Sequence, residues 1–172
     1  RVIPIERRGE VQFDAFERLL NANTKLLALA HVSNALGTIV PVEQYIARAK
    51  ALGVPVLLDG AQAIPHGQVD VRALDYDFYV LSGHKLFAPT GIGALYGRRE
   101  LLEAMPPFLV GGEMIRKVTL EETTFTVPPK RFEAGTPSIA EAVGLGAAVD
   151  YLSAVGLERV HLHSQALTNR AI

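Results

Sequence analysis

The sequence predicts an α/β domain built on a mixed, mostly parallel sheet with flanking helices. Three observations carry that expectation. Strand-like apolar runs alternate with helical patterns as far as about residue 105, which is the order of βαβ proteins. The run Pro55-Val56-Leu57-Leu58 is apolar throughout, as in a strand covered on both faces of a parallel sheet. The stretch Gly93 to Arg98 follows its predecessor after only a short turn. It must therefore run antiparallel, because a parallel return needs a crossover of about a dozen residues or more.

Taken in order, Val2-Ile3-Pro4-Ile5 reads as a short edge strand, since proline removes a ladder donor. Phe13, Phe16, Leu19 and Leu20 recur at helical spacing, with Asp14 as the expected N-cap of a helix reaching Asn21. Lys25 to Ser33 is the next apolar run and is expected to be the first central strand. Pro41 starts a helix and Gly53 ends it, with Val42, Tyr45, Ile46, Ala49 and Leu52 on one apolar face. That helix would connect two parallel strands, the second being Pro55 to Asp59. Asp70 can cap a short helical turn through Leu74. Asp77-Phe78-Tyr79-Val80-Leu81 is a buried strand by composition. Arg98 to Met105 is a short helix stopped by Pro106-Pro107, and Phe108 to Lys130 is a long loop with room for a hairpin. Ser138 and Glu141 have capping-box spacing at the start of the last strong helix, with Ile139, Val143, Gly146 and Ala147 as its packed face. Gly156 stops or bends it, and Leu157 to Ile172 is a second helix.

Two polar residues stand out because each ends an apolar run. Asp59 falls at the carboxyl end of its strand, where open α/β sheets bind ligands. A carboxylate there is costly unless paired or hydrogen-bonded. Lys85 sits between a strand and the glycine-rich turn Gly91-Ile92-Gly93, flanked by Ser82 and His84. A lone lysine in a turn is usually a solvated one. In a site that lowers its pKa, it can form a Schiff base. Pyridoxal 5′-phosphate (PLP) requires such a lysine and a partner for its pyridinium nitrogen. Lys85 and Asp59 are those two residue types on two successive strand ends.

The segments Val56 to Ala63, Ser82-Gly83-His84-Lys85 and Arg131-Phe132-Glu133-Ala134-Gly135-Thr136-Pro137 resemble the SufS-like cysteine desulfurases, PLP enzymes of the class V aminotransferase family. The resemblance runs in the same order across nearly the whole chain. It implies the three-layer large domain of fold type I, incomplete here, over residues 1–156, with 157–172 beginning a helical connection to a small C-terminal domain. It implies that Lys85 holds the coenzyme, Asp59 pairs with its ring nitrogen and Gln62 bonds its phenolic oxygen. Ser82 and His84 would hold the phosphate, and Asn34 would lie near the substrate carboxylate. Thr136 would reach the phosphate of the neighbouring subunit's coenzyme in a homodimer. The implied substrate is L-cysteine, with alanine left behind and the sulfur bound for an acceptor protein and iron–sulfur cluster assembly. The family's ring-stacking histidine would precede Arg1, and its nucleophilic cysteine and substrate-binding arginine would follow Ile172. The segment alone is expected to be inactive.

Composition narrows the alternatives. The 172 residues carry a net charge of −1, which argues against a nucleic-acid surface or a polybasic membrane patch. No apolar run approaches the roughly 18 residues of a spanning helix, and the N-terminus lacks signal-peptide architecture. The absence of cysteine excludes disulfides and thiolate metal sites within these residues and favours a cytoplasmic setting. His31 reads as a hydrogen-bonded, half-buried histidine, and His66 as a loop residue. His161 and His163 diverge on a helix, so no metal site is expected. Gly91-Ile92-Gly93 precedes a strand, which excludes a dinucleotide fingerprint. A Ser82-His84-Asp59 hydrolase triad lacks the Gly-x-Ser-x-Gly elbow. Two readings stay open beside the desulfurase. One is another class V chemistry, such as an aminotransferase, epimerase or lyase. The other is a dimerisation or binding module without turnover.

Overall fold

The computed structural model describes residues 1–171. Its centre is a four-stranded sheet: β1 (Leu27–Ala30), β2 (Val56–Asp59), β3 (Phe78–Ser82) and β4 (Gly93–Gly97), side by side in that order. β1, β2 and β3 are parallel, and β4 is antiparallel to β3. The mixed sheet expected from the sequence is therefore present. β1 lies at its edge rather than its middle, and its outer side borders a groove of about 770 Å³.

Two helices build the core against one face of the sheet. α1 (Phe13–Leu19) starts after Gln12, so Asp14 lies within its first turn and does not cap it. α2 (Val42–Lys50) sits between Pro41 and Gly53 as the sequence predicts. Gly53 has φ +66°, the left-handed conformation that ends helices. Val42, Tyr45, Ile46 and Ala49 of α2 are buried with Leu27, Leu29, Val56, Leu58 and Tyr79 of the strands, whereas Leu52 is exposed. Phe13, Phe16 and Tyr45 close one end of this core, with ring centroids 5.1–5.7 Å apart. Burying a large apolar side chain there contributes roughly 1.5–3 kcal/mol.

The opposite face is open. Ala28, Ala30 and Leu95 are exposed, and every residue of β4 before Gly97 is exposed. The expectation that β2 is covered on both faces is thus met on one face only. Residues 71–73 form a turn rather than a helix, although Asp70 Oδ1 accepts the Arg72 and Ala73 amides as a cap would. Val2 to Ile5 makes no strand and contributes only the isolated bridge Ile5↔Val11.

Beyond β4 lie α3 (Arg99–Ala104) and a two-stranded hairpin of β5 (Ile115–Val118) and β6 (Thr123–Phe125), inside the segment read as a long loop. α4 (Ile139–Val155) and α5 (Leu157–Ala171) follow, bent by 74° across Gly156. Two details of α4 differ from expectation. Ser138 occupies the N-cap position without a side-chain hydrogen bond, so no capping box forms. Ile139, Val143, Gly146 and Ala147 are exposed, while Ala148 and Leu152 are buried. The helix is apolar on all sides, so its sequence did not specify which face packs. No single helix among the described residues is long and apolar enough to cross a membrane.

Candidate active site

Parallel strands put their carboxyl ends on one edge, so the segments leaving β1, β2 and β3 meet there. Asp59 ends β2, paired in register with Ala30 of β1 and Val80 of β3. Side chains alternate along a strand, so Asp59 projects on the open face, opposite buried Leu58. It is exposed, so water meets the desolvation cost that a buried carboxylate would carry. Its Oδ1 accepts the Ala61 amide at 3.0 Å. Its Oδ2 has no hydrogen-bond or ion-pair partner among the described residues.

Ser82 ends β3 on the same face as Val80 and Asp59. The chain then enters a 3₁₀ turn, Gly83–Leu86, that carries His84 and Lys85. Ser82 Oγ and His84 Nδ1 are 2.9 Å apart. The Gly83 amide donates to the Ile92 carbonyl at 2.9 Å, and the Ala88 amide to Gly83 at 3.1 Å. A Cβ on Gly83 would meet Ile92 at 2.6 Å, so only glycine lets the lysine turn lie this close to the Gly91–Gly93 loop. Phe87 closes the turn with φ +63°, an uncommon conformation for a bulky residue. Lys85 is half-buried and makes no ion pair among the described residues.

The other expected residues divide. Gln62 lies in the turn after β2, half-buried, beside the same edge. Asn34 lies in the exposed turn after β1 and makes no side-chain hydrogen bond among the described residues. Thr136 is exposed in the loop before α4, and no hydrogen bond links it to the cluster. α4 itself packs on the Lys85 segment, where a Cβ on Gly144 would meet Pro89 at 2.7 Å. Asp59, Gln62, Ser82, His84 and Lys85 thus share two neighbouring strand ends, with Asn34 on the third. The edge is an open shelf, and the groove of about 770 Å³ lies elsewhere, along β1. No group of acidic, histidine or cysteine side chains suited to a metal occurs among the described residues.

One polar pair behind the shelf was legible only in part. His31 is half-buried and hydrogen-bonded, as its sequence context suggested, but its partner is Tyr79 Oη, 3.0 Å from Nδ1. Burial pushes the His31 imidazole below its ordinary pKa, against an opposing pull from Glu43. Burial also raises the Tyr79 phenol, helped by Tyr76 and Asp59. A sequence separation of 48 between His31 and Tyr79 hides this pair from any local pattern. The one available signal was Gly60, a glycine directly after a strand-ending aspartate.

The whole chain, residues 1–172, matches the family model described as Aminotransferase class-V. A cysteine desulfurase of Serratia proteamaculans is 53% identical over 173 residues, covering 100% of this chain and 43% of that protein. The apo structure of a cysteine desulfurase from Thermococcus onnurineus superimposes with a TM-score of 0.92 at 40% identity, covering 99% of this chain and 42% of that one. A lysine-to-alanine mutant of C-DES, with glycine covalently linked to its PLP cofactor, gives a TM-score of 0.77 at 28% identity, covering 87% of this chain and 40% of that one. The chain therefore spans less than half the length of the relatives it matches.

Proposed function

The chain belongs to the aminotransferase class-V family, and we propose that it is the coenzyme-holding part of a PLP-dependent cysteine desulfurase of the SufS-like group. Such an enzyme takes sulfur from L-cysteine, leaves L-alanine and carries the sulfur as a persulfide on its own thiol. The observation that carries this reading is the occurrence of Asp59 and Lys85 at neighbouring carboxyl ends of parallel strands, each without an ionic partner among the described residues. The donor set fits the coenzyme. It offers one open carboxylate oxygen for a cationic ring nitrogen, one amine for the carbonyl carbon, and a hydroxyl and an imidazole for the phosphate.

Bound there, PLP would supply an electron sink for the substrate's α-carbon. Asp59 keeps the ring nitrogen protonated through Oδ2. Lys85 would hold the coenzyme through Nζ, and its amine would be placed to move the proton at the substrate's α-carbon. The Ser82 hydroxyl and the His84 imidazole would hold the phosphate, and His84 is also a candidate for passing a proton to the substrate. Gln62 bonds the phenolic oxygen, Asn34 meets the substrate carboxylate, and Thr136 serves the phosphate of a second subunit in a homodimer. These 172 residues contain no cysteine, so the thiolate that attacks the substrate sulfur comes from outside them. A sulfur-acceptor protein and a cytoplasmic setting complete the reading.

The test is Lys85→Ala in the full-length protein. The visible absorption of lysine-bound coenzyme should vanish while the fold persists by circular dichroism. A variant that stays yellow would show that another amine holds the coenzyme. A second reading, carbon–sulfur lyase chemistry, is favoured by a TM-score of 0.76 to C-DES, described as a cystine C-S lyase and crystallised with cysteine persulfide. Alanine as the carbon product would decide for desulfuration.

A further inference from the structure

The Tyr79–His31 pair crosses the middle strand directly behind Asp59. Leu29, Leu58 and Tyr79 lie in register on the face covered by α2. One pleat further along, His31 and Gly60 continue that row. Tyr79 is 2% exposed and leans along its strand until its ring lies over Gly60. A Cβ on Gly60 would sit 1.9 Å from one ring carbon and 2.2 Å from the hydroxyl. The absent side chain is what lets Tyr79 reach across β2 and meet His31 on β1's extension.

The backbone is held at the same place. The His31 amide donates to the Asp59 carbonyl at 2.9 Å, and the Gly60 amide donates to the Val80 carbonyl at 2.9 Å. The Asp59–Gly60 peptide is thus tied on both sides by its neighbours and backed by the tyrosine ring. Asp59 projects from that peptide to the other face, so the direction of its carboxylate follows the peptide's orientation. Burial keeps the Tyr79 phenol protonated and the His31 imidazole neutral. Of the two neutral groups the phenol is the stronger acid and the unprotonated ring nitrogen the stronger base, so the hydroxyl is assigned as donor to Nδ1, with the ring proton on Nε2.

We propose that Tyr79 and His31 are positioning residues for Asp59, a cross-strand latch over Gly60 that fixes the carboxylate's aim at the coenzyme ring. The inference rests on the PLP reading above. It adds two side chains that touch neither substrate nor coenzyme, and it gives a reason for glycine at position 60.

The experiment uses the full-length protein, with pyridoxal 5′-phosphate as the probe. Tyr79→Phe keeps the ring over Gly60 and removes only the donor. His31→Leu removes the acceptor, whereas His31→Asn retains an acceptor oxygen near the position of Nδ1. Three readouts are taken: coenzyme affinity of the apo protein, visible circular dichroism of the bound coenzyme, and the separate values of kcat and KM. Tyr79→Phe and His31→Leu should each weaken coenzyme binding by roughly three- to ten-fold, the range expected for one hydrogen bond. They should alter the visible dichroism and lower kcat more than they raise KM. The double variant should be no worse than either single one, and His31→Asn should recover most of the loss. Wild-type affinity and dichroism in Tyr79→Phe would overturn the latch while leaving the PLP reading intact. Failure of the wild-type protein to bind the coenzyme would overturn both. Should His31→Leu not fold, Tyr79→Phe against wild type decides alone.

Discussion

The sheet carries an aspartate at each end, and the fold treats the two in opposite ways. Asp77 precedes β3 at the amino end and is 9% exposed. Its Oδ2 accepts the Val56 amide at 2.8 Å, and its Oδ1 lies 3.2 Å from Arg98 Nε. Arg98 also pairs with Asp75, which Lys50 reaches at 2.6 Å. Burial and the Arg98 charge push the Lys50 ammonium below its ordinary pKa, while Asp77 pulls it back. Lys50, Asp75, Asp77 and Arg98 are thus answered by one another. At the carboxyl end, Asp59 has one oxygen tied to its own turn and the other free, and Lys85 has no ionic partner among the described residues. A carboxylate whose oxygens are both used internally is part of the architecture. One left half-used at a strand end is open to a ligand.

The largest expected effect separates the ends by function. In the full-length enzyme, Asp59→Ala should cut desulfuration on the order of 10²–10³-fold, the usual cost of losing one preorganised electrostatic partner. Its unfolding free energy should stay within about 0.5 kcal/mol of wild type, because the site is exposed. Retention of activity within about ten-fold would mean that the open end is not where the coenzyme ring sits.

The mirror experiment is Asp77→Ala. It leaves Arg98 short of a partner and the Val56 amide without an acceptor. Urea unfolding should show a loss of about 2–4 kcal/mol, below the value for a fully buried pair because Arg98 is part-exposed. Coenzyme affinity of the molecules that remain folded should be unchanged. A drop in that affinity would show that the two ends are coupled through β2 and β3.

The contrast also explains what the sequence could reveal. β2 and β3 were legible because they are unbroken apolar runs, and α2 because Pro41 and Gly53 bracket an amphipathic stretch. The open end was legible because a charged residue at the end of such a run stands out, as Asp59 and Lys85 do. The closed end was not. Asp77 looks like the first residue of a strand, and its partners lie 21 residues away on either side, at Val56 and Arg98. The pairing of Tyr79 with His31 failed to stand out for the same reason. α4 misled because an all-round apolar helix has no preferred face, and Ser138 because capping-box spacing does not oblige the side chain to turn inward.

Acid supplies the smallest of the expected differences, and it acts at the open end through His31. Its folded pKa is lowered from 6.5, first by burial, with Glu43 opposing. Between the folded value and about 6.5 the unfolded chain therefore binds more protons than the folded one at this residue. The contribution of His31 is full above about pH 6.5 and is lost as the pH falls through the folded pKa. Protonation also turns Nδ1 from acceptor to donor, so the Tyr79 bond must reverse or break. Denaturation of the full-length protein from about pH 7.5 down to about pH 5 should show this loss in wild type and a shallower one in His31→Asn, which has nothing to titrate there. The difference should be a fraction of what Asp77→Ala removes, because the imidazole is only half-buried. Equal slopes in the two proteins would mean that His31 carries its proton equally well folded and unfolded, and the neutral acceptor assigned to it would be wrong.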